Sequence, residues 1–188
     1  MWTDEGAGSI YTVNKPVRKP EDLEGLKIWV PPGAIHMESI RERGGIAAAT
    51  ALGEVYRALQ QKVLDGGENS PTLFWASKHW EVCKAYSLTE PFWLVSPLLA
   101  NKKWWDGLSK DIQGEIGESA REAERCFLKI YPVDENKATG WVKEKDVQVI
   151  PDVDKSVFQK RTQPVYDTYI KNYQFGKDLL DQARGAKR

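Results

Sequence analysis

Histidine and cysteine are scarce in this 188-residue chain, which has two residues of each. Neither His36 nor His79 has a cysteine or a carboxylate at the spacing typical of metal ligands. The sequence also has no G-x-S-x-G motif and no phosphate-binding glycine loop, and two histidines are few for a catalytic triad. We therefore expect no metal, no cofactor and no catalytic residues.

The chain also lacks net charge and long apolar runs. Its 27 basic residues balance its 27 acidic residues, so no overall field attracts nucleic acid or an anionic membrane. The longest uncharged run, Pro91 to Asn101, is too short to span a bilayer and contains two prolines. We expect neither nucleic acid as a partner nor direct insertion into a membrane.

The two cysteines permit one disulfide in an oxidising compartment. Cys83 ends a predicted helix, whereas Cys126 lies inside another helix far along the chain. This placement favours two buried thiols over a disulfide.

Strand and helix patterns alternate through the first half of the chain. Leu26 to Val30 alternates like a strand and ends in Pro31-Pro32-Gly33. A helix is predicted from Ile35 to Arg43, stopped by Gly44-Gly45, and a second extended piece follows. Tyr86 to Thr89 is the next predicted strand. This alternation is typical of an α/β fold.

The segment from Leu52 to Pro71 combines a helix, a glycine pair and a helix start. Five apolar residues recur at helical spacing and predict a buried stripe. They are Leu52, Val55, Tyr56, Leu59 and Val63. Gly66-Gly67 predicts a tight turn, while Ser70 suits an N-cap and Pro71 the first helical position. Free backbone N–H groups at such a start favour a small anionic or polar ligand.

The order of these motifs resembles the solute-binding subunits of tripartite ATP-independent periplasmic (TRAP) transporters, the family that includes dicarboxylate-binding proteins. Four motifs carry the resemblance, which covers residues 15 to about 170. They are Pro20-Glu21-Asp22-Leu23-Glu24-Gly25-Leu26-Lys27-Ile28, Gly53-Glu54-Val55-Tyr56 through Asp65-Gly66-Gly67-Glu68-Asn69, Lys78-His79-Trp80-Glu81-Val82 with Ser87-Leu88-Thr89, and Pro164-Val165-Tyr166.

The resemblance implies a type II periplasmic-binding-protein fold with a mixed sheet, flanking helices and a long connecting helix. The chain corresponds to the C-terminal two thirds of such a protein, so we expect the first lobe to be largely missing. Residues 1–93 would form the second ligand-binding lobe, 94–132 the crossover strands and connecting helix, and 133–188 the strand and helices that return to the second lobe. The first five residues do not look like a secretory signal. A truncated gene model, a fragment and a shortened relative are all consistent with this start.

The second half is predicted to be mainly helical. Extended segments at Phe92 to Val95 and Leu98 to Ala100 precede a long helix capped by Ser109, which Pro132 should kink or end. The apolar stripe of this helix is Ile112, Ile116, Ala120, Ala123, Phe127 and Ile130. A charged segment, Asp134 to Asp146, leads to a strand at Val147 to Ile150. Pro151-Asp152 then opens a helix through Tyr169, and Asp178 to Arg188 is expected to fray.

Ligands of open α/β sheets collect at the carboxyl ends of the strands. In the family that this chain resembles, an arginine that holds the ligand's carboxylate stands where this sequence has Trp29. A second arginine usually lies upstream, but the region around Ser9 to Thr12 has none. Both departures argue against a simple dicarboxylate as the ligand.

Aromatic side chains are the proposed replacement for these arginines. Trp29, Phe92 and Trp93 could stack on a ring, a sugar or an alkylammonium group, and Trp75 is a further candidate. Packing in the core or hinge is the alternative for Trp29, Phe92 and Trp93.

Polar candidates lie near the same loops. Asn69 could donate its side-chain amide to a ligand oxygen or simply form a turn. Leu52 could form the floor of the pocket or belong to the helix stripe. Glu68 and Glu90 could receive a cationic or hydroxyl group, although single acids at loop ends are usually solvated. Three arginines, Arg41, Arg43 and Arg57, are interpreted as a solvated face.

The resemblance to this family implies an extracytoplasmic solute-binding subunit of a TRAP-type transporter, located in the periplasm. It would capture a small organic acid or ring-bearing polar compound between two lobes and deliver it to TRAP membrane permease subunits. A ligand-sensing domain, an enzyme for a small substrate, and a fragment that binds nothing alone are the alternatives.

Overall fold

The computed structural model describes residues 2–173 and 175–185. Eight strands are described: β1 (Trp2–Ala7), β2 (Ser9–Thr12), β3 (Lys27–Val30), β4 (Ile46–Ala49), β5 (Gly66–Asn69), β6 (Ala85–Ser87), β7 (Trp93–Pro97) and β8 (Gln148–Ile150). The described α-helices are α1 (Ala34–Glu42), α2 (Leu52–Gln60), α3 (Pro71–Ala76), α4 (Lys102–Asp106), α5 (Lys110–Glu144), α6 (Lys155–Arg161), α7 (Gln163–Asn172) and α8 (Gly176–Gly185).

Six of these strands form one mixed sheet in the order β4-β3-β5-β2-β6-β8. Strand β3 runs parallel to β4 and β5, β2 runs antiparallel to β5 and β6, and β8 runs parallel to β6. Strands β1 and β7 form a separate antiparallel pair. The mixed α/β fold predicted from the sequence is confirmed.

The sheet divides the core into two clusters because successive residues of a strand point to opposite faces. In β3, Trp29 joins the cluster that contains Val55, Leu59 and Phe74, whereas Ile28 joins the cluster on the other face. The second cluster also contains Ile10, Val17, Leu23, Val30, Ile40 and Phe158. Burial on both faces explains why the central strands contain so few charged side chains.

The predicted turn at Gly66-Gly67 is wrong, because both glycines lie inside strand β5. A Cβ atom on Gly66 would collide with the main-chain oxygen of Tyr11, and one on Gly67 would meet the Tyr11 ring. Glycine is therefore needed here for the close approach of β2 to β5 and not for a reversal of the chain.

The apolar stripe predicted for α2 is only partly buried. Val55 and Leu59 lie in the core, but Leu52 is exposed in the first turn. Val63 is also exposed and lies beyond the end of the helix. The buried stripe is thus shorter than the periodicity indicated, because the helix ends at Gln60.

Pro132 was predicted to kink or end the helix, and of these two outcomes the second is wrong, because α5 runs through Pro132. The buried residues of α5, Ala138 and Val142, lie after the proline, and the Tyr131 hydroxyl donates to the Glu5 carbonyl oxygen before it (2.6 Å). These contacts on both sides offset the local cost of about 3 kcal/mol for an internal proline. The segment from Asp134 is therefore helical as far as Glu144.

The stripe predicted for the first part of α5 is not buried against the described residues, and Ile112 and Ile130 are both exposed.

The C-terminal helices start later than predicted, because the Asp154 side chain caps α6 by accepting a hydrogen bond from Ser156 N. A new helix, α7, begins after Arg161. Helix α8 covers part of the tail expected to fray, and Ala186 to Arg188 lie outside the described residues.

Both cysteines are free thiols, as expected, but only Cys83 is buried, while Cys126 is exposed on α5. The prediction of two buried thiols is therefore half wrong, because the face of α5 that carries Cys126 is not covered. Within residues 2–173 and 175–185, no helix is both long and apolar enough to cross a membrane.

Candidate ligand-binding site

A polar cleft lies at the carboxyl ends of the parallel strands β3 and β5. It has a volume of about 470 Å³ and opens between the β5–α3 connection and strand β7. Its walls are formed by Glu5, Pro31, His36, Asn69, Ser70, Thr72, Leu73, Ala76, Leu94, Val95 and Ser96. We call this cavity the cleft. Its position agrees with the rule that open α/β sheets bind ligands at the carboxyl edge.

Asn69 is the last residue of β5 and is held firmly at the edge of the cleft. Its side-chain oxygen accepts a hydrogen bond from Ser70 N (2.8 Å), and its main-chain oxygen accepts one from the Tyr86 hydroxyl (2.8 Å). Among the described residues, the Asn69 side-chain NH₂ group has no protein acceptor. This group is therefore the donor that remains for a ligand oxygen.

The start of α3 follows the sequence prediction. The Ser70 hydroxyl caps the helix by accepting from Leu73 N (3.4 Å), and Pro71 occupies the first helical position. Thr72 shares hydrogen bonds of 2.9 Å with the hydroxyls of Ser70 and Tyr131. This network ties α3 to α5 and fixes the floor of the cleft.

Trp29 lies below the cleft surface instead of presenting a face to it. The side chain is 2% exposed, packs in the core cluster with Val55 and Phe74, and donates its indole N–H to the Thr50 carbonyl oxygen (3.0 Å). In this conformation the indole of Trp29 is part of the hydrophobic core, which was the alternative interpretation of this residue.

Glu90 and Trp93 face a smaller neighbouring cavity of about 260 Å³, whose lining includes Ser9, Tyr86 and Glu135. Glu90 is not a single solvated acid, because its carboxylate pairs with Lys155 at 2.5 Å. The indole N–H of Trp93 donates to the Asp4 carboxylate (2.6 Å). The structure thus brings these two residues together, but beside the cleft.

Trp75 and Leu52 line neither cavity. Trp75 stacks on Trp80 with ring centres 5.2 Å apart and also contacts Trp141 (5.1 Å). Leu52 is exposed at the start of α2.

Glu68 precedes Asn69 in β5 and is fully buried, and neither of its carboxylate oxygens has a hydrogen-bond partner in the part of the chain that the structure describes. Burial raises the pKa of Glu68 to about 8, an effect that the nearby positive charge of Arg43 partly opposes. Glu68 is therefore mainly protonated at neutral pH.

Arg43 is buried, so the prediction that it belongs to a solvated face is wrong for this residue. Arg43 is the C-cap residue of α1 and follows the buried residues Ser39 and Ile40 at helical spacing, which was the signal that could have revealed its burial. Arg41 and Arg57 are exposed, as expected.

Phe92 lies between His36 and Arg43. Its ring centre is 4.6 Å from that of His36 and 5.6 Å from the Arg43 guanidinium carbon. His36 lines the cleft, whereas Phe92 and Arg43 line a different cavity beside α1 and α7. The His36–Phe92 pair therefore stands between the two cavities.

A sheet of this kind, with a polar cleft at its carboxyl edge, is typical of proteins that bind small solutes. Residues 1–172 match the family described as bacterial extracellular solute-binding protein, family 7, and the chain belongs to this family.

Solved structures support the assignment. One of them is a TRAP periplasmic solute-binding protein from Chromohalobacter salexigens with bound D-glucuronate. It is 33% identical to this chain, with a TM-score of 0.94, and the match covers 100% of this chain and 62% of the chain of that protein. A second TRAP periplasmic solute-binding protein, from Sulfitobacter, has bound β-D-galacturonate. It is 32% identical to this chain, with a TM-score of 0.93, and the match covers 98% of this chain and 61% of the chain of that protein.

A relative from Escherichia coli, the 2,3-diketo-L-gulonate-binding periplasmic protein YiaO, is 32% identical over 180 residues. The match includes 94% of this chain and 54% of the relative. The chain thus spans about half the length of this curated protein.

Proposed function

We propose that this chain contributes the Asn69 side of the solute site in a periplasmic solute-binding subunit of a TRAP transporter. The observation that carries the proposal is the free NH₂ donor of Asn69, fixed at the carboxyl edge of the sheet in a cleft of about 470 Å³. Family membership supports it, because the matched proteins are named as solute-binding proteins. The subunit would deliver its solute to TRAP membrane permease subunits.

The ligand that we propose is a sugar acid or a similar ring-bearing polyhydroxy acid. Two similar proteins hold glucuronate and galacturonate. The hydroxyl groups of Ser70 and Thr72, together with the Asn69 amide, supply the neutral hydrogen-bonding groups that a polyol needs. The absence of an arginine at Trp29 supports a polyhydroxy ligand over a simple dicarboxylate.

The three-part division into residues 1–93, 94–132 and 133–188 is part of this proposal. So are the ligand roles of Glu68, Glu90, Phe92 and Trp93, although none of these four is among the described residues that line the cleft, and Glu90 and Trp93 line the smaller cavity beside it. The remaining candidates, Trp29, Leu52 and Trp75, would act by shaping the site from a distance, since none lines the cleft. Neither the sensor nor the enzyme alternative gains support from the comparisons.

Calorimetric titration of the chain with D-glucuronate, D-galacturonate and succinate tests the proposal. We expect heat from at least one uronate and none from succinate. A folded chain that binds no uronate, or that binds succinate more tightly than both uronates, would contradict the proposed ligand class. Asn14→Ala, at an exposed asparagine in the segment that follows β2, is the control for variants of Asn69.

A further inference from the structure

A second cavity, separate from the cleft, lies between α1, α7 and α8. We call it the Arg43 cavity, and its volume is about 370 Å³. Most of its lining is apolar or aromatic, with contributions from Ile35, Phe92, Val165, Tyr169, Leu179 and Leu180. Such a lining favours a compact ligand with a hydrophobic body.

Arg43 supplies a buried positive charge to this apolar space. Its side chain is 3% exposed, and its Nε and one of its Nη atoms have no hydrogen-bond partner within residues 2–173 and 175–185. A guanidinium carries five N–H donors and keeps its charge at neutral pH, so unpaired burial is costly. A ligand that satisfies these donors would recover this cost.

No carboxylate among the described residues lies within 4.0 Å of the Arg43 guanidinium. Glu68 acts electrostatically on Arg43 only when it is ionised, and burial keeps it mainly protonated at neutral pH. Among the described residues, neither of its oxygens has a hydrogen-bond partner. The Phe92 ring, 5.6 Å away, offers a cation–π contact that compensates the charge only in part. The described part of the cavity thus contains a cation without a neutralising anion.

We propose that the Arg43 cavity binds a small carboxylic acid with an aromatic or branched apolar body, whose carboxylate pairs with the Arg43 guanidinium. A carboxylate matches the guanidinium by forming two parallel hydrogen bonds. The apolar body would pack on Phe92 and Tyr169. A phosphate is a poorer match, because its second charge and third oxygen need donors that an apolar lining does not supply.

This proposal depends neither on the cleft nor on Asn69, and it shares only the candidate Phe92 with the proposed function. The two cavities share none of their lining residues, and the His36–Phe92 pair stands between them. Loss of solute binding in the cleft therefore leaves the proposal for the Arg43 cavity unaffected.

The test is a calorimetric titration of the chain with 3-phenylpropionate and with its neutral amide. We expect the acid to bind and the amide to bind at least about tenfold more weakly, because only the acid neutralises Arg43. Arg43→Leu should abolish the preference for the acid, whereas Arg41→Leu, an exposed arginine on the same helix, should not change it. A folded chain that does not bind the acid, or that binds acid and amide equally, would overturn the proposal.

A second variant tests the proposal even if Arg43→Leu does not fold. Leu179→Trp keeps the arginine but fills the cavity from the half-exposed face of α8, so it should also abolish binding of the acid. Retention of full affinity in this variant would show that the acid binds elsewhere. Competition between 3-phenylpropionate and D-glucuronate distinguishes the two cavities. If D-glucuronate displaces 3-phenylpropionate, and if both ligands bind more weakly to Asn69→Asp, then Arg43 belongs to the cleft. This result would overturn the proposal of a separate site.

Discussion

The carboxylate of Glu68 lies against Gly8, so closely that a Cβ atom at residue 8 would overlap Glu68 Oε1. Gly8 is followed by β2, which pairs with the strand that carries Glu68, and its N–H donates to the Phe92 carbonyl oxygen (3.0 Å). The buried acid therefore occupies the space that a side chain at residue 8 would take.

Gly8→Ala should therefore destabilise the fold by about 1–3 kcal/mol, the usual cost of overpacking a filled interior. Glu68 is fully buried, so its carboxylate has little room to move aside. In a Glu68→Ala background the same substitution should cost much less, and chemical denaturation of the four proteins measures the difference. Gly53→Ala, where an added Cβ meets nothing within 4 Å, is the control. Equal costs of Gly8→Ala in both backgrounds would contradict the close contact.

Glu68 should also make stability depend on pH. Its folded-state pKa of about 8 lies above its ordinary value of 4.5, so between these values the folded chain binds more protons than the unfolded chain. The free energy of unfolding should then fall as pH rises from about 4.5 to about 8, by an amount on the order of a few kcal/mol. The groups that face this acid are Arg43 on α1, Tyr11 on β2 and Tyr86 on β6.

Glu68→Gln tests this dependence, because it keeps the shape of the side chain and removes its titration. The difference in unfolding free energy between the original chain and the variant should change across this pH range. Taking the difference cancels His79, whose pKa burial lowers to about 4 and which acts in the opposite direction below pH 6.5. Glu118→Gln, at an exposed position, should leave the slope unchanged. If the unfolding free energies of Glu68→Gln and of the original chain changed with pH in parallel, the pH dependence could not be assigned to Glu68.

The sequence was informative where local chemistry decides the structure. Ser70, Pro71 and Ser109 act at helix starts as predicted, because capping depends on a few adjacent residues. The alternation at Leu26 to Val30 likewise located β3. These elements, with the order of the motifs, were sufficient to predict the mixed α/β fold and the position of Asn69 directly before the start of α3, although Asn69 ends a strand and not a glycine turn.

The sequence was misleading where contacts between distant segments determine the structure. Gly66-Gly67 has the composition of a turn, but the approach of Tyr11 from β2 makes it a strand. Pro132 has the local signature of a helix end, yet contacts of α5 with β1 and with the core continue the helix. The pairing of Arg43 with Phe92 joins α1 to a segment far along the chain, so it was not apparent from either residue alone.

An exposed apolar patch should cause the chain to self-associate. Val95, Leu98 and Leu99 are 55%, 62% and 81% exposed, and all lie in or just after β7. Contiguous apolar surface of this kind drives association. Analytical ultracentrifugation should show oligomers that a Leu98→Lys, Leu99→Lys double variant reduces, whereas Val63→Lys, at an isolated exposed valine, should not. A monomeric original chain at the same concentration would contradict this expectation.

Asn69→Asp should abolish or strongly weaken solute binding while leaving the fold intact. The carboxylate keeps the oxygen that accepts from Ser70 N, so the connection from β5 to α3 is preserved. The change removes the NH₂ donor and introduces a negative charge that repels an acidic ligand, with an expected cost of about 1–3 kcal/mol or more in binding free energy. Uronate titration gives the affinity, and thermal unfolding gives the stability. Asn69→Ala should weaken binding similarly but also lose the bond to Ser70 N. If uronate affinity were unchanged in Asn69→Asp while the melting temperature fell, Asn69 would be a structural residue of the β5–α3 connection, and the solute would bind elsewhere.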